Sequence, residues 1–362
     1  MLGATPARCI EVDPHLPDNS PAQKETSLTT ALVSKQFIAG FGDALTAVAD
    51  HAGKTLSFIT LPEQPGARLS QADCDRIDCT FVDRDIRFDE QLAGAYNDAL
   101  IASRSCKWIH LTSSGVTPTS YITALDSKGA IITSSTGSNA EPVAQTGFTG
   151  LLMLARGFPG YIQGQHKHEW RPLRGAALPD DLRGQTLLLI GVGAVGKVFA
   201  GYARAFGLKV IGVRRSPRLA DDPVDELHAP SQLPELLPRA DWIVIACPLT
   251  KETRNLIGTK ELMLARKGAR LINIGRGEVV VEEAMIEALR SGHLGGAALD
   301  AHSQEPLPAD SPLWDLANVI VSPHNASAST GNEKRSAEMF IANFGHWIRG
   351  QPMFNVQQLS LP

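Results

Sequence analysis

The stretch Gln185-Thr186-Leu187-Leu188-Leu189-Ile190-Gly191-Val192-Gly193-Ala194-Val195-Gly196 decides the fold. Its apolar run, 187–190, is closed by glycine and reads as a strand buried on both faces, as strands of parallel sheets are. Beyond it Val195, Phe199, Tyr202 and Phe206 recur at spacings of four, three and four, which lays an apolar face along one helix. A second strand follows at 209–213. Strand, glycine turn, helix and strand in that order are the context in which G-x-G-x-x-G signals a dinucleotide. Gly191 permits the tight turn, Gly193 lets backbone approach a pyrophosphate, and Gly196 lets helix and strand pack closely. The pyrophosphate would rest on the N–H groups that open the helix, at Ala194 and Val195.

The end of the second strand selects the coenzyme. An acidic residue there bonds the 2′-hydroxyl of NAD, but this chain carries Arg214-Arg215-Ser216. Guanidinium groups make fork-shaped, charge-assisted bonds to phosphate oxygens, and no carboxylate stands there to repel a 2′-phosphate. NADP(H) is therefore expected in preference to NAD(H), with NAD(H) use still possible.

Working outward, 362 residues exceed one ordinary core, so two domains are expected. The 34 basic residues nearly balance 38 acidic ones, which argues against nucleic acid or an anionic membrane surface as partner. No apolar run reaches the roughly 18 residues of a spanning helix. Residues 1–21 hold prolines and acids where a secretory signal needs an apolar core, and read as a tail. Five cysteines without C-x-x-C spacing fit a reduced cytoplasm.

Residues 29–52 carry alanine, leucine, valine and phenylalanine at helical spacings and read as a helix or two. Short β-rich runs follow at 56–60, 80–83, 108–112 and 130–133, separated by helical stretches such as 89–103, so a smaller α/β domain precedes the glycine turn. After its third run, Thr112-Ser113-Ser114-Gly115-Val116 forms a loop able to aim backbone N–H groups at an anion. A mostly apolar helix over 141–157 leads toward the second domain. His166-Lys167-His168-Glu169 looks like a metal-ligand string but reads as a solvated polar loop, and no metal is assigned. Beyond the glycine turn, strands are expected at 241–247, 269–274, 295–300 and 319–322, a helix at 281–291, and a long final helix at 330–349.

Three side chains stand just past successive strands of that second set: Arg276, Glu305 and His324. Open α/β sheets bind ligands at this carboxyl edge. Hydride transfer to a ketone builds negative charge on oxygen, and histidine suits the proton donor required near neutral pH. A carboxylate beside it, Glu305, would favour the imidazolium and orient it. Arg276 would clamp a substrate carboxylate and polarise the adjacent carbonyl.

From about residue 56 to about residue 349 the chain resembles the D-isomer-specific 2-hydroxyacid dehydrogenases. The resemblance rests on Gly191 to Gly196, on Asn273-Ile274-Gly275-Arg276-Gly277, on the segment 295–307 with Asp300 and Glu305-Pro306-Leu307, and on Ser322-Pro323-His324. It implies two Rossmann-like doubly wound α/β domains, the larger NAD(P)-binding one inserted into a smaller flavodoxin-like catalytic one. The expected limits are 149–325 for the larger, 54–148 plus 326–362 for the smaller, and 1–53 as an N-terminal extension and helix. It further implies that Arg276, Glu305 and His324 act as assigned, that Ser114 and Gly115 offer N–H groups to the substrate carboxylate, and that Asp300 holds the nicotinamide carboxamide. Cys247, Pro248 and Thr253 would flank the adenosine and nicotinamide ribose, Ile274 and Gly275 would line the coenzyme, and a homodimer would form through the nucleotide domains.

Two departures from the family pattern stand out. Arg214 replaces its common acid, which brings the chain closer to the NADPH-linked glyoxylate and hydroxypyruvate reductases. Ala301-His302 follows Asp300 where a Val-Phe pair is common. The expected activity is NADPH-dependent reduction of a small 2-keto acid; the alternatives are an NAD-linked D-2-hydroxyacid dehydrogenase and a non-catalytic, dinucleotide-sensing protein resembling corepressors of this fold.

Overall fold

The computed structural model describes residues 28–359 apart from 117, 176 and 177; the tail expected at 1–21 lies outside them. Two wholly parallel sheets organise the chain. The smaller holds β1 (Leu28–Leu32), β2 (Thr55–Ile59), β3 (Cys79–Val82), β4 (Trp108–Leu111) and β5 (Ile131–Ser134), in the order β2-β1-β3-β4-β5. The larger holds β6 (Thr186–Ile190), β7 (Lys209–Val213), β8 (Glu226–His228), β9 (Trp242–Ile245), β10 (Ala269–Asn273), β11 (Leu294–Leu299) and β12 (Val319–Val321), in the order β12-β11-β10-β9-β6-β7-β8. In the larger sheet the strand order reverses between β6 and β9, which is where doubly wound sheets open a crevice at their carboxyl edge.

Side chains alternate across the larger sheet as a strand's period of two requires. Leu188, Ile190, Ile211, Ile243 and Ile245 enter the core on one face, while Leu187, Leu189, Val210, Trp242 and Val244 enter the core on the other. Each fully buried aliphatic chain contributes about 1.5–3 kcal/mol, so helices are held to both faces.

The first correction concerns the N-terminal segment. Residues 1–53 were expected as an extension and helix, yet Leu28–Leu32 is an inner strand, paired to β2 on one side and β3 on the other. Among the described residues up to 53, the helix is Lys35–His51. The strand is short, carries two threonines and runs directly into an alanine-rich helix, so helical spacing masks it. The second concerns β8, which the sequence reading lacks altogether: it is a three-residue edge strand, half-buried throughout, with no apolar run to announce it. The third concerns the helix Ala194–Ala205. Its buried face is Gly196, Phe199, Ala200 and Ala203, whereas Phe206 lies past its end and is half exposed.

The final helix, Asn332–Ile348, returns to the smaller sheet and packs on the helix Lys35–His51. Phe340 anchors it, stacked at 5.0 Å on both Phe81 and Trp108. The chain leaves and re-enters the smaller sheet at one place: Thr146 Oγ1 donates to the Ala326 carbonyl at 3.3 Å, and Arg335 Nε donates to the Ser138 carbonyl.

Candidate active site

The glycine turn sits between β6 and the helix Ala194–Ala205. Gly191 has φ +106°, and a Cβ there would lie 2.6 Å from Ala246 C and Cys247 N, so the turn is pressed against the end of β9. At Gly196 a Cβ would lie 2.0 Å from the Gly191 carbonyl oxygen, which is the close helix–strand contact expected of it. A Cβ at Gly193 would meet nothing within 4 Å. The one open position is thus where a pyrophosphate needs to come near the backbone, and the residues present fit a dinucleotide.

Three loops at the carboxyl ends of β10, β11 and β12 bring Arg276, Glu305 and His324 to one edge. His324 Nδ1 and Glu305 Oε2 are 2.7 Å apart. The other oxygen, Oε1, accepts the His302 N–H at 3.0 Å. Partial burial pushes the Glu305 carboxyl up, but the His302 N–H and the His324 imidazole more than offset it, holding the group below the usual carboxylate range. His324 itself takes φ +49°, inside a turn whose N–H donates to the Ser322 carbonyl at 3.1 Å. Arg276 is exposed, and Nη1 donates to the Gly275 carbonyl at 2.7 Å, leaving most of its donors open. Asn273 shapes this loop, bonding both the Arg276 carbonyl and the Gly275 N–H, while Ile274 is half-buried next to Gly147.

Asp300 is 5% exposed and braces the histidine loop. Its Oδ1 accepts the Ser322 hydroxyl at 2.6 Å and the Asn325 N–H at 3.0 Å, and Oδ2 accepts the Ala326 N–H at 2.9 Å. A carboxylate has about four acceptor positions, so one remains for a carboxamide. After β9, Thr253 Oγ1 accepts the Thr250 N–H and donates to the Pro248 carbonyl, both at 2.7 Å, folding the Cys247–Pro248 loop onto itself. Burial pushes the Cys247 thiol up to about 11. In the smaller sheet the loop after β4 has its carbonyls tied: Ser135 N–H, Thr136 Oγ1 and Ser113 Oγ donate to those of Ser113, Ser114 and Gly115. The N–H groups of Ser114 and Gly115 bond no other described residue, the arrangement an anion needs.

Arg214 behaves differently from the sequence expectation of a phosphate clamp. Its five N–H donors are all engaged within the chain: Nε with the Ser216 carbonyl, Nη1 with the Val192 carbonyl and Asp222 Oδ1, Nη2 with the Pro217 carbonyl and Asp222 Oδ2. Asp222 was not singled out in the sequence. Eight residues downstream in a loop, it carried no pattern; the available clue was an acid placed shortly after two arginines. The Arg214 guanidinium beside it holds its carboxyl well below the usual range, and Lys197 pairs with it at 3.2 Å. Arg215 and Ser216 are exposed, and among the described residues Arg215 makes no hydrogen bond or ion pair, acting only through its field on Glu252. No three His, Cys, Asp or Glu side chains among the described residues could share a metal ion, and no described helix is long and apolar enough to cross a membrane.

A dinucleotide turn at the switch point of a parallel sheet, with a guanidinium and a carboxylate–imidazole pair along the same edge, defines the class of NAD(P)-dependent oxidoreductases. Residues 148–326 match the NAD binding domain model of the D-isomer specific 2-hydroxyacid dehydrogenases. The chain is 35% identical over 231 residues to a glyoxylate reductase of Korarchaeum cryptofilum, covering 62% of this chain and 68% of that one. Among solved structures, a D-isomer specific 2-hydroxyacid dehydrogenase family protein from Aeromonas salmonicida superimposes with TM-score 0.66 at 28% identity, covering 91% of this chain and 99% of that one. An NADPH-dependent glyoxylate/hydroxypyruvate reductase from Sinorhizobium meliloti, solved with NADP and sulfate, gives 0.64 at 26%, covering 91% and 98%. The chain therefore belongs to the D-isomer specific 2-hydroxyacid dehydrogenase family. It is an NAD(P)-dependent oxidoreductase, and these relatives support a 2-keto acid as what it reduces.

Proposed function

We propose that the protein catalyses NADPH-dependent reduction of a small 2-keto acid, of the glyoxylate or hydroxypyruvate type, to the D-2-hydroxy acid. The observation that carries this reading is the 2.7 Å contact between His324 Nδ1 and Glu305 Oε2 at the same sheet edge as Arg276. With Nδ1 bonded to the carboxylate, Nε2 is the nitrogen left to give a proton to the carbonyl oxygen. Arg276, together with the Ser114 and Gly115 N–H groups, receives the substrate carboxylate and draws electron density from the neighbouring carbonyl. When bound, a reduced dinucleotide would supply the hydride. Asp300 would accept its carboxamide through the remaining acceptor position, and the Cys247–Thr253 loop would flank the ribose.

The 2′-phosphate falls to Arg215 and Ser216, since Arg214 has no free donor. That engagement is also what favours the second reading, an NAD-linked dehydrogenase, because one unpaired guanidinium discriminates less than two. Homodimerisation and a cytoplasmic setting belong to the same proposal. Side-by-side NADPH and NADH assays with glyoxylate, hydroxypyruvate, pyruvate and phenylpyruvate test it; no turnover with any of the four would end it. His324→Ala should slow turnover by about two to four orders of magnitude, and an unchanged rate would remove His324 as the donor.

A further inference from the structure

We propose that His302 is a positioning residue: it holds together the three loops that carry Arg276, Glu305 and His324, and so fixes the imidazole–carboxylate pair. The inference rests on the functional reading above and concerns a residue to which neither the hydride-transfer chemistry nor the coenzyme assigns a role.

His302 is 5% exposed and faces each loop in turn. Its backbone N–H donates to Glu305 Oε1 at 3.0 Å. Its Nε2 and the Ser322 carbonyl are 3.0 Å apart, and this same carbonyl accepts the His324 N–H. Its own carbonyl lies where Gly277, the residue after Arg276, passes so near that a Cβ there would be 2.1 Å from the oxygen. One residue thus touches the arginine loop through backbone packing, the glutamate through its N–H, and the histidine turn through its side chain.

The turn needs that support. A residue other than glycine at φ +49° is strained and persists only where the surroundings over-determine it. Asp300 secures the far side of the turn through Ser322, Asn325 and Ala326; the imidazole of His302 secures the near side at the Ser322 carbonyl. Because a carbonyl only accepts, Nε2 carries the proton and Nδ1 holds the lone pair. Nδ1 is buried and without a partner. A buried polar atom left unpaired forfeits its hydration without return, so imidazole is a poor filler here. A phenyl ring would occupy the space without that cost but could not donate to Ser322.

The variants His302→Phe and His302→Gln separate donation from filling, since the glutamine amide reaches about as far as Nε2. The readout is the titration of the Glu305 carboxyl by carbon-13 NMR, assigned with Glu305→Gln. It needs no turnover, so it remains decisive even if the keto-acid reading fails. Among the described residues, the His324 imidazole lowers the Glu305 carboxyl through its hydrogen bond and its charge, and any field from the His302 ring is removed alike in both variants, so the difference between them reads the turn. Loosening the turn in His302→Phe withdraws the His324 imidazole, so the Glu305 midpoint should rise in that variant. In turnover, kcat should fall by about 10- to 100-fold with coenzyme Kd unchanged, and His302→Gln should restore both quantities. An unmoved midpoint in His302→Phe, or equal shifts in both variants, overturns the proposal. Should His302→Phe fail to fold, His302→Asn, whose amide is too short to reach Ser322, replaces it with the same expected and overturning results.

Discussion

Arg214 and Arg215 are adjacent in sequence and opposite in employment. The first spends every donor within the chain, on its own loop and on the Val192 carbonyl of the glycine turn, and the second presents its guanidinium to solvent at the strand end. Charge-assisted bonds to phosphate are worth about 1.5–3 kcal/mol each. Arg215→Ala should therefore raise the KM for NADPH by about ten-fold or more while leaving that for NADH nearly unchanged; equal changes for the two coenzymes would remove Arg215 as the phosphate ligand. The sequence made the arginine pair visible but not its division of labour. That division depends on Asp222, which only the folded loop brings back to Arg214. In the same way Arg276, Glu305 and His324 were legible from their places after strands, while His302 was legible only as an oddity, because its three contacts come from residues 277, 305 and 322.

At the scale of elements, what could be read was what burial on both faces imposes. Strand β9 declares itself by the continuous apolar run Trp242–Ile245, and β10 and β11 by shorter apolar stretches; their limits shift by a residue or two. β8 could not be read because an edge strand needs no such run, and β1 was hidden by the helix that follows it directly. The glycine turn gives a sharp expectation. Gly196→Ala would drive a methyl group to 2.0 Å from the Gly191 carbonyl oxygen, so the helix Ala194–Ala205 must shift away from β6. Coenzyme titration and thermal melts should show weakened binding together with a lower Tm; a variant matching the parent in both would contradict the packing described. In the smaller sheet, His110 lies fully buried on β4 between the Thr133 hydroxyl, 2.7 Å from Nδ1, and the Ser135 hydroxyl, 3.0 Å from Nε2. Burial pushes its imidazole down to about 3. The unfolded chain takes up this proton near pH 6.5 and the folded chain does not, so stability falls as pH drops from about 6.5 toward 3, by at most a few kcal/mol. Melts across that range should show a steeper loss for the parent than for His110→Gln; parallel curves would refute it.

Over the whole molecule, one surface stands apart. The helix Phe158–His166 exposes Phe158, Tyr161 and Ile162, and Trp170 just beyond it is 95% exposed. In the homodimer proposed above, these exposed apolar side chains would supply the contact surface. Light scattering should find a dimer, and Ile162→Asp combined with Trp170→Ala should shift it toward monomer; a monomeric parent would dismiss the idea. Finally, the two crossings between the sheets are tied to each other by Thr146 with Ala326 and by Arg335 with Ser138. Segments entering and leaving side by side make a graft point, where an entire inserted half can be exchanged without stretching either strand of the junction. Such an exchange would carry the glycine turn, Arg214, Arg215, Arg276, Glu305 and His324 as a single cassette, leaving behind the Ser114–Gly115 loop to greet whatever chemistry arrived.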